Sequence, residues 1–373
     1  MKARCYVAEE ETIRFFAGVL GYKASNEKEV QHSLRQLERR RWQKTLENVY
    51  VVNIHKIFFD AVVPQKDSNG TYSLVLCSRQ TKEKFDVSFT VEMTAEVHNI
   101  AQTPYVKQLV EITTPLEIGY YDAKFTVNGR EYQTVLAIAP DRCYLPTVLE
   151  KEKMWGYSIQ LYSLKSRRNW GIGDFTDLAD FVDFSSSTGA DIIGLNPVNV
   201  LGHSFPEEAS PYSSSSRLFL NPIYIDVEKV PEFEPQDIAD VKEKIAALNA
   251  SETILYGEVY PLKIKVLEKL YPRMLKDEKR RAAFNQFCQE KGRDLENLAT
   301  FQALYEDKWQ HCWGGWRSWE KEYQSPDTVE IVQYRQQNEQ RLGFFKFLQF
   351  EADRQLQLVS RRVAEKGLKI GIY

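Results

Sequence analysis

Cysteine is scarce in this chain and unpatterned. Five residues (Cys5, Cys77, Cys143, Cys288, Cys312) are scattered over 373 positions, an odd number with no Cys-x-x-Cys spacing. That distribution excludes a disulfide framework and gives no zinc site. Histidine is equally thin at five, with no His-x-x-x-His pair, so no metal is expected. No hydrophobic run approaches the roughly 20 residues of a membrane span. The opening MKARCYVAEEETIRFF is charged too early and too often for a signal segment. Charge of either sign is not in excess: 49 Lys and Arg against 52 Asp and Glu leave a net charge of −3. A nucleic-acid or membrane-surface partner is therefore not expected. The basic runs Arg39–Arg41 and Lys279–Arg281 sit among acids and helix formers and read as solvated helix faces. No glycine-rich phosphate loop follows a strand, Gly171-Ile172-Gly173 lacks the third glycine of a dinucleotide fingerprint, and no Gly-x-Ser-x-Gly elbow occurs. Asn69-Gly70-Thr71 and Asn249-Ala250-Ser251 match glycosylation sequons, but without a secretory signal they carry no weight. The expectation from these absences is a soluble, reduced, cytoplasmic protein without a cofactor; its oligomeric state is not legible.

What is present falls into three zones. Residues 1–48 are expected to form a small helical module. Ile13, Phe16, Ala17 and Leu20 recur at helical spacing, Gly21 closes that helix, and Ser25-Asn26-Glu27 starts another with Val30, Leu34 and Leu37 as its apolar stripe. Near Val49 the period changes to two. Strands are expected at Val49–His55, Tyr72–Cys77, Phe85–Val91, Val106–Ile112, Ala123–Val127 and Tyr132–Ile138, so residues 49–145 read as a β-sandwich. Asn128-Gly129 is a type I′ hairpin signal, because both turn residues must take positive φ, and Asn69-Gly70 is a second candidate.

The third zone, 146–373, opens with a strand–helix–strand unit. Tyr157–Tyr162 is the first strand; Asp174 or Thr176 caps a helix packed through Leu178, Phe181, Val182 and Phe184; Ile192–Leu195 is the second strand, stopped by Asn196-Pro197. Residues from about 228 to 366 are mostly helical, and Leu368, Ile370 and Ile372 begin a third strand. The fold class is multidomain α/β: a helical module, a β-sandwich, then the first three strands of a (β/α)8 TIM barrel carrying a helical insertion. Three strands do not close a barrel and leave unpaired edges, so the barrel reads as truncated.

Chemistry-bearing residues cluster in the loops beyond the first two strands. Ser163–Asp174 (SLKSRRNWGIGD) carries Arg167, Arg168 and Asn169 as donors suited to hydroxyls, with Asp174 before the helix, where capping is its ordinary duty. Ser210-Pro211-Tyr212-Ser213 sets a Pro-fixed aromatic in a long polar loop, the kind of segment that is usually functional. Trp313, Trp316 and Trp319 beside Gly314-Gly315 read either as a stacking platform for a ligand or as core. Glu207 and Glu208 lie in the second loop, but adjacent residues point apart and make a poor acid–nucleophile pair.

The runs QLYSL, NWGIGDF, IGLNP, SPYSSSSR and LNPIYIDV, all within Trp155–Val227, resemble the opening of the barrel in the bacterial 4-α-glucanotransferases, the amylomaltase family. APDRCYLP at 139–146 and the Trp-rich insertion extend that resemblance over essentially the whole chain. The resemblance implies a transferase moving α-1,4-glucan segments between maltodextrin donor and acceptor by retaining double displacement, with two carboxylates about 5 Å apart. It implies too that those carboxylates lie beyond residue 373, so no catalytic residue is named here. Tyr212 is implied to contact the reacting sugar, with Ser210 near it and Asn196 and Asp174 as weaker substrate-binding candidates. The alternatives are a non-catalytic glucan-binding chain and an α-amylase-like hydrolase.

Overall fold

A computed structural model describes residues 8–201, 209–308 and 315–373. The chain divides into two compact units, Met1–Leu145 and Pro146–Tyr373.

The first unit begins with helices α1 (Glu10–Val19) and α2 (Glu27–Gln43). Asn26 caps α2, its side chain accepting from Glu29 N at 3.1 Å. Trp42 at the far end of α2 stacks on His98, with ring centroids 5.2 Å apart. Eight strands follow: β1 (Val49–Asn53), β2 (Phe58–Pro64), β3 (Tyr72–Ser78), β4 (Lys84–Asp86), β5 (Phe89–Ile100), β6 (Thr103–Ile112), β7 (Gly119–Val127) and β8 (Arg130–Ala139). They form a five-stranded sheet in the order β1-β8-β7-β3-β4 and a three-stranded sheet in the order β2-β6-β5. Alternate residues turn inward from both sheets. Phe59, Ala61, Val63, Val106 and Val110 meet Leu74, Leu76, Ala123, Phe125 and Leu136 in one core. At its centre Phe125 packs edge-on to Phe59, with ring centroids 5.9 Å apart.

Asn128 (φ +49°) and Gly129 (φ +79°) join β7 to β8 in the tight primed turn that the dipeptide announces. Asn69-Gly70 does not make a hairpin, because β2 and β3 on either side of it belong to different sheets. The run Phe85–Val91 likewise is not one strand. It breaks at the buried Val87, sending β4 to one sheet and β5 to the other. The strand β2 was not apparent in the sequence; Phe59, Ala61 and Val63 supply its inward face, but the polar neighbours that usually mark the outward face are few.

In the second unit α3 (Thr147–Lys151) precedes β9 (Gly156–Ile159), α4 (Phe175–Ser187) and β10 (Ile192–Leu195). Helices α5 (Lys242–Ala250), α6 (Tyr256–Lys276), α7 (Glu278–Lys308), α8 (Val329–Gln337) and α9 (Glu339–Lys366) lead to β11 (Gly371–Ile372). The three strands are parallel in the order β11-β10-β9, with Ile192 opposite both Gly156 and Gly371. β9–α4–β10 is thus a crossover unit, and its core, with Leu161, Phe175, Leu178, Val182 and Ile193, continues into α6 and α9 through Val259, Val266, Phe347 and Leu348. The first strand is shorter than its apolar run suggests. Leu161 N donates to the Asn196 side chain at 2.8 Å instead of to a neighbouring strand, and Leu161–Ser163 coils into a 3-10 turn. No described helix is long and apolar enough to cross a membrane.

Phe125 is fully buried among aromatic neighbours, so Phe125→Ala is expected to cost about 3–5 kcal/mol in urea unfolding of the first unit. Val51→Ala, at a position 74% exposed, should stay within about 0.5 kcal/mol.

Candidate functional site

The polar loops of the second unit begin where β9 and β10 end, and a buried ionic cluster holds the first of them. The Arg168 guanidinium donates from Nη1 to Asp174 Oδ2 (3.0 Å) and Asp226 Oδ2 (2.8 Å), and from Nη2 to Asp174 Oδ1 (2.7 Å) and Asp177 Oδ1 (2.8 Å). The three carboxylate side chains are 2–3% exposed. Burial works against the charge of Arg168, but its hydrogen bond to Asp174 and the fields of all three aspartates outweigh that and hold its proton more tightly than usual. Asp226 moves the other way: burial first, then the nearby Asp174, raises its carboxyl above the ordinary range, despite a hydrogen bond from Thr176 Oγ1 at 2.6 Å.

Local chemistry explains why the loop folds this way. Asp174 caps α4, accepting from Thr176 N (2.9 Å) and Asp177 N (3.1 Å), while Asp177 Oδ2 accepts from Asp174 N (3.0 Å). This reciprocal box satisfies the first free N–H groups of the helix, and the helix dipole favours its negative charges. Asn169 Nδ2 donates to Asp177 Oδ2 (2.9 Å) and Leu164 O (3.0 Å), and Trp170 Nε1 donates to Glu228 Oε1 (3.0 Å). Gly171 has φ +85°, and a Cβ there would lie 2.6 Å from Leu248 O; a Cβ on Gly173 would lie 2.0 Å from Leu161 O. Both positions require glycine for backbone reasons.

A second set of buried polar groups secures the chain after the second loop. Lys263 Nζ, 1% exposed as a residue, donates to Ile223 O (2.6 Å) and Ile225 O (2.8 Å), and burial lowers its pKa. Gln349 on α9 clamps Leu220 through both backbone groups, at 3.0 and 2.9 Å. Gln355, six residues further on, clamps Asp226 in the same way at 2.8 and 2.9 Å.

The four residues singled out in the sequence occupy very different settings. Asp174 is the buried cap just described. Asn196 is 8% exposed; its Oδ1 accepts from Leu161 N, its Nδ2 donates to Pro197 O (3.0 Å), and it hydrogen-bonds the Tyr224 hydroxyl. Ser210 is exposed, and its carbonyl accepts from Ser213 N (3.1 Å), closing a turn that carries Tyr212 at its tip. Tyr212 is 76% exposed. The structure thus joins Asp174 to Arg168 directly and to Asn169 through Asp177, and links Asn196 to both loops, leaving Tyr212 and Ser210 on the surface. Asp226, Lys263, Gln349 and Gln355 went unnoticed in the sequence; the first three each stand between two apolar residues, the one signal that points to a buried partner, whereas Gln355 lies in the polar stretch Asp353–Gln357 and gives none. Of the tryptophans, Trp319 is buried on Phe301 and Tyr305, Trp316 is 41% exposed, and Trp313 lies outside the described residues, as do Glu207 and Glu208. No group of three or more metal-ligating side chains occurs among the described residues.

Comparison with known proteins gives concordant matches. A family model described as 4-alpha-glucanotransferase matches residues 159–372. A 4-alpha-glucanotransferase from Haemophilus influenzae is 34% identical over 276 residues, covering 69% of this chain and 40% of that protein. One from Mycobacterium tuberculosis is 30% identical over 270 residues, covering 69% and 36%. The crystal structure of amylomaltase from Corynebacterium glutamicum matches with a TM-score of 0.76 at 25% identity, over 96% of this chain and 49% of that one. The chain therefore spans less than half the length of each of these relatives.

Arg168→Met removes the only cation bonded to Asp174, Asp177 and Asp226 among the described residues. The variant is expected to lose about 3–5 kcal/mol in urea unfolding, the usual cost of stranding buried charge. Asp174→Asn keeps a capping acceptor and should lose less.

Proposed function

Because this chain belongs to the 4-alpha-glucanotransferase family, its residues 159–372 matching that family's model, we propose that it serves the transfer of α-1,4-glucan segments between maltodextrins. One observation of the structure carries the reading furthest: Tyr212 stands 76% exposed on a Pro-braced turn beyond β10, while Asp174 and Asn196 are held by buried hydrogen bonds. A ring with a hydroxyl offers a sugar both an apolar face to stack on and a hydrogen-bond partner. In this reading β9, β10 and β11 are the first three strands of a TIM barrel, with a helical insertion at 228–366, and Tyr212 and Ser210 form one wall of the sugar site at their carboxyl ends. Asn196 and Asp174 act on the substrate chiefly by fixing those loops.

The chemistry of this reading is retaining. A carboxylate attacks the anomeric carbon while a carboxylic acid protonates the departing oxygen, giving a glycosyl-enzyme; the acid, now a base, takes the proton of the acceptor 4-hydroxyl as it attacks in turn. Asp174, Asp177 and Asp226 are poor choices for either role, since Arg168 occupies all three. The two catalytic carboxylates are accordingly assigned to barrel strands other than these three, and the protein is assigned to the cytoplasm. The same observation favours a second reading for the 373-residue chain by itself: it binds glucan without turning it over.

Maltotriose incubated with the protein tests both. Transfer predicts glucose and a ladder of longer dextrins; products no longer than the substrate would mean hydrolysis and defeat the proposal. Transfer by the 373-residue chain itself would defeat the second reading. Tyr212→Ala should lower kcat/KM about tenfold or more, and Tyr212→Phe should keep the stacking share.

A further inference from the structure

The helical insertion contains a cavity of about 260 Å³ between the second half of α7, the turns at 315–326 and α8. Its residues are separate from the Tyr212 loop. One side is aromatic, with Phe301, Trp316, Trp319 and Tyr323. Trp319 is immobilised, its centroid 5.7 Å from Phe301 and 6.1 Å from Tyr305. Trp316 is the anomaly: it lines the cavity yet keeps 41% of its surface exposed, where an ordinary core tryptophan would be enclosed.

Facing these rings are polar groups already held in place. Arg335 donates from Nε to Thr300 Oγ1 and from Nη2 to Asn297 Oδ1, both at 2.9 Å, and its Nη1 makes no hydrogen bond among the described residues. Gln324 Nε2 donates to Trp319 O (2.7 Å) and Arg317 O (3.0 Å), which fixes the amide and leaves Oε1 as an acceptor without a donor among the described residues. A mostly apolar cavity with a few oriented polar groups is the common form of a small-molecule site. Its volume falls just below the roughly 300–1,000 Å³ of drug-sized pockets, which suits a single hexose ring. A glucopyranose presents what this lining asks for, a C–H face toward an indole and hydroxyls toward a guanidinium and an amide oxygen.

Resting on the glucan reading above, we infer that this cavity is a second glucan-binding site, taking one glucose unit of an α-1,4-linked chain against Trp316. It lets the insertion hold a part of a long maltodextrin that the Tyr212 loop does not. Calorimetric titration of maltoheptaose into the full chain, its Trp316→Ala variant and its Tyr212→Ala variant tests this. The expected result is binding about tenfold weaker in Trp316→Ala, with measurable binding left in Tyr212→Ala. Unchanged binding in Trp316→Ala overturns the cavity site and leaves the glucan reading standing. No binding by the unaltered chain defeats the glucan reading itself. Should Trp316→Ala fail to fold, hydrogen exchange of the unaltered chain decides: saturating maltoheptaose should slow exchange in peptides covering 316–335, and unaltered exchange there overturns the site.

Discussion

Three aspartates buried within reach of one another are tolerable only because a guanidinium lies among them. Arg168 neutralises one charge of the three, and the buried Lys263 ammonium adds a second positive field nearby. The balance is still negative, and burial, with the nearby Asp174, raises the carboxyl of Asp226. Almost everything at the strand ends hangs on this arrangement: the start of α4 through Asp174 and Asp177, the first loop through Asn169, and the segment returning from the second loop through Asp226. Arg is suited to the task where Lys is not, because its planar fork can serve several carboxylates at once.

In the proposed reading a locked scaffold carries a reachable sugar contact. Side chains placed on locked scaffolding hold their geometry better than those on free loops. Here Asp174 and Asn196 are part of the scaffolding, and Tyr212 is the part left reachable. The chain belongs to the 4-alpha-glucanotransferase family and has an amylomaltase-like α/β fold.

Local signals in the sequence were readable in proportion to how local their partners are. Asn128-Gly129 forms the turn its φ preference demands, and Asp174 begins α4 as a residue before an amphipathic run should. The same rule explains the misses. Phe85–Val91 looks continuous because nothing within it shows that its two ends join different sheets. Arg168 was visible as a donor, but its partner Asp226 is 58 residues away. Gln349 and Gln355 find their partners 129 residues back. Tyr212 was legible as a motif through its resemblance, and its exposure then followed from a short turn that only the folded chain displays.

The paired glutamines of α9 have a consequence for how this segment can change. Residues 349 and 355 are six apart, and so are the backbone positions they grip, 220 and 226. Six helical residues rise about 9 Å, whereas six extended residues can reach about 20 Å; the 3-10 turn at Pro222–Tyr224 takes up the difference. The helix therefore acts as a two-point gauge. Between its contacts the buried Ile223 and Ile225 side chains can drift so long as they stay apolar, but the number of residues cannot: one inserted or deleted position would slide a backbone amide out of one clamp. The stretch after the second loop is thus constrained in length more severely than in composition.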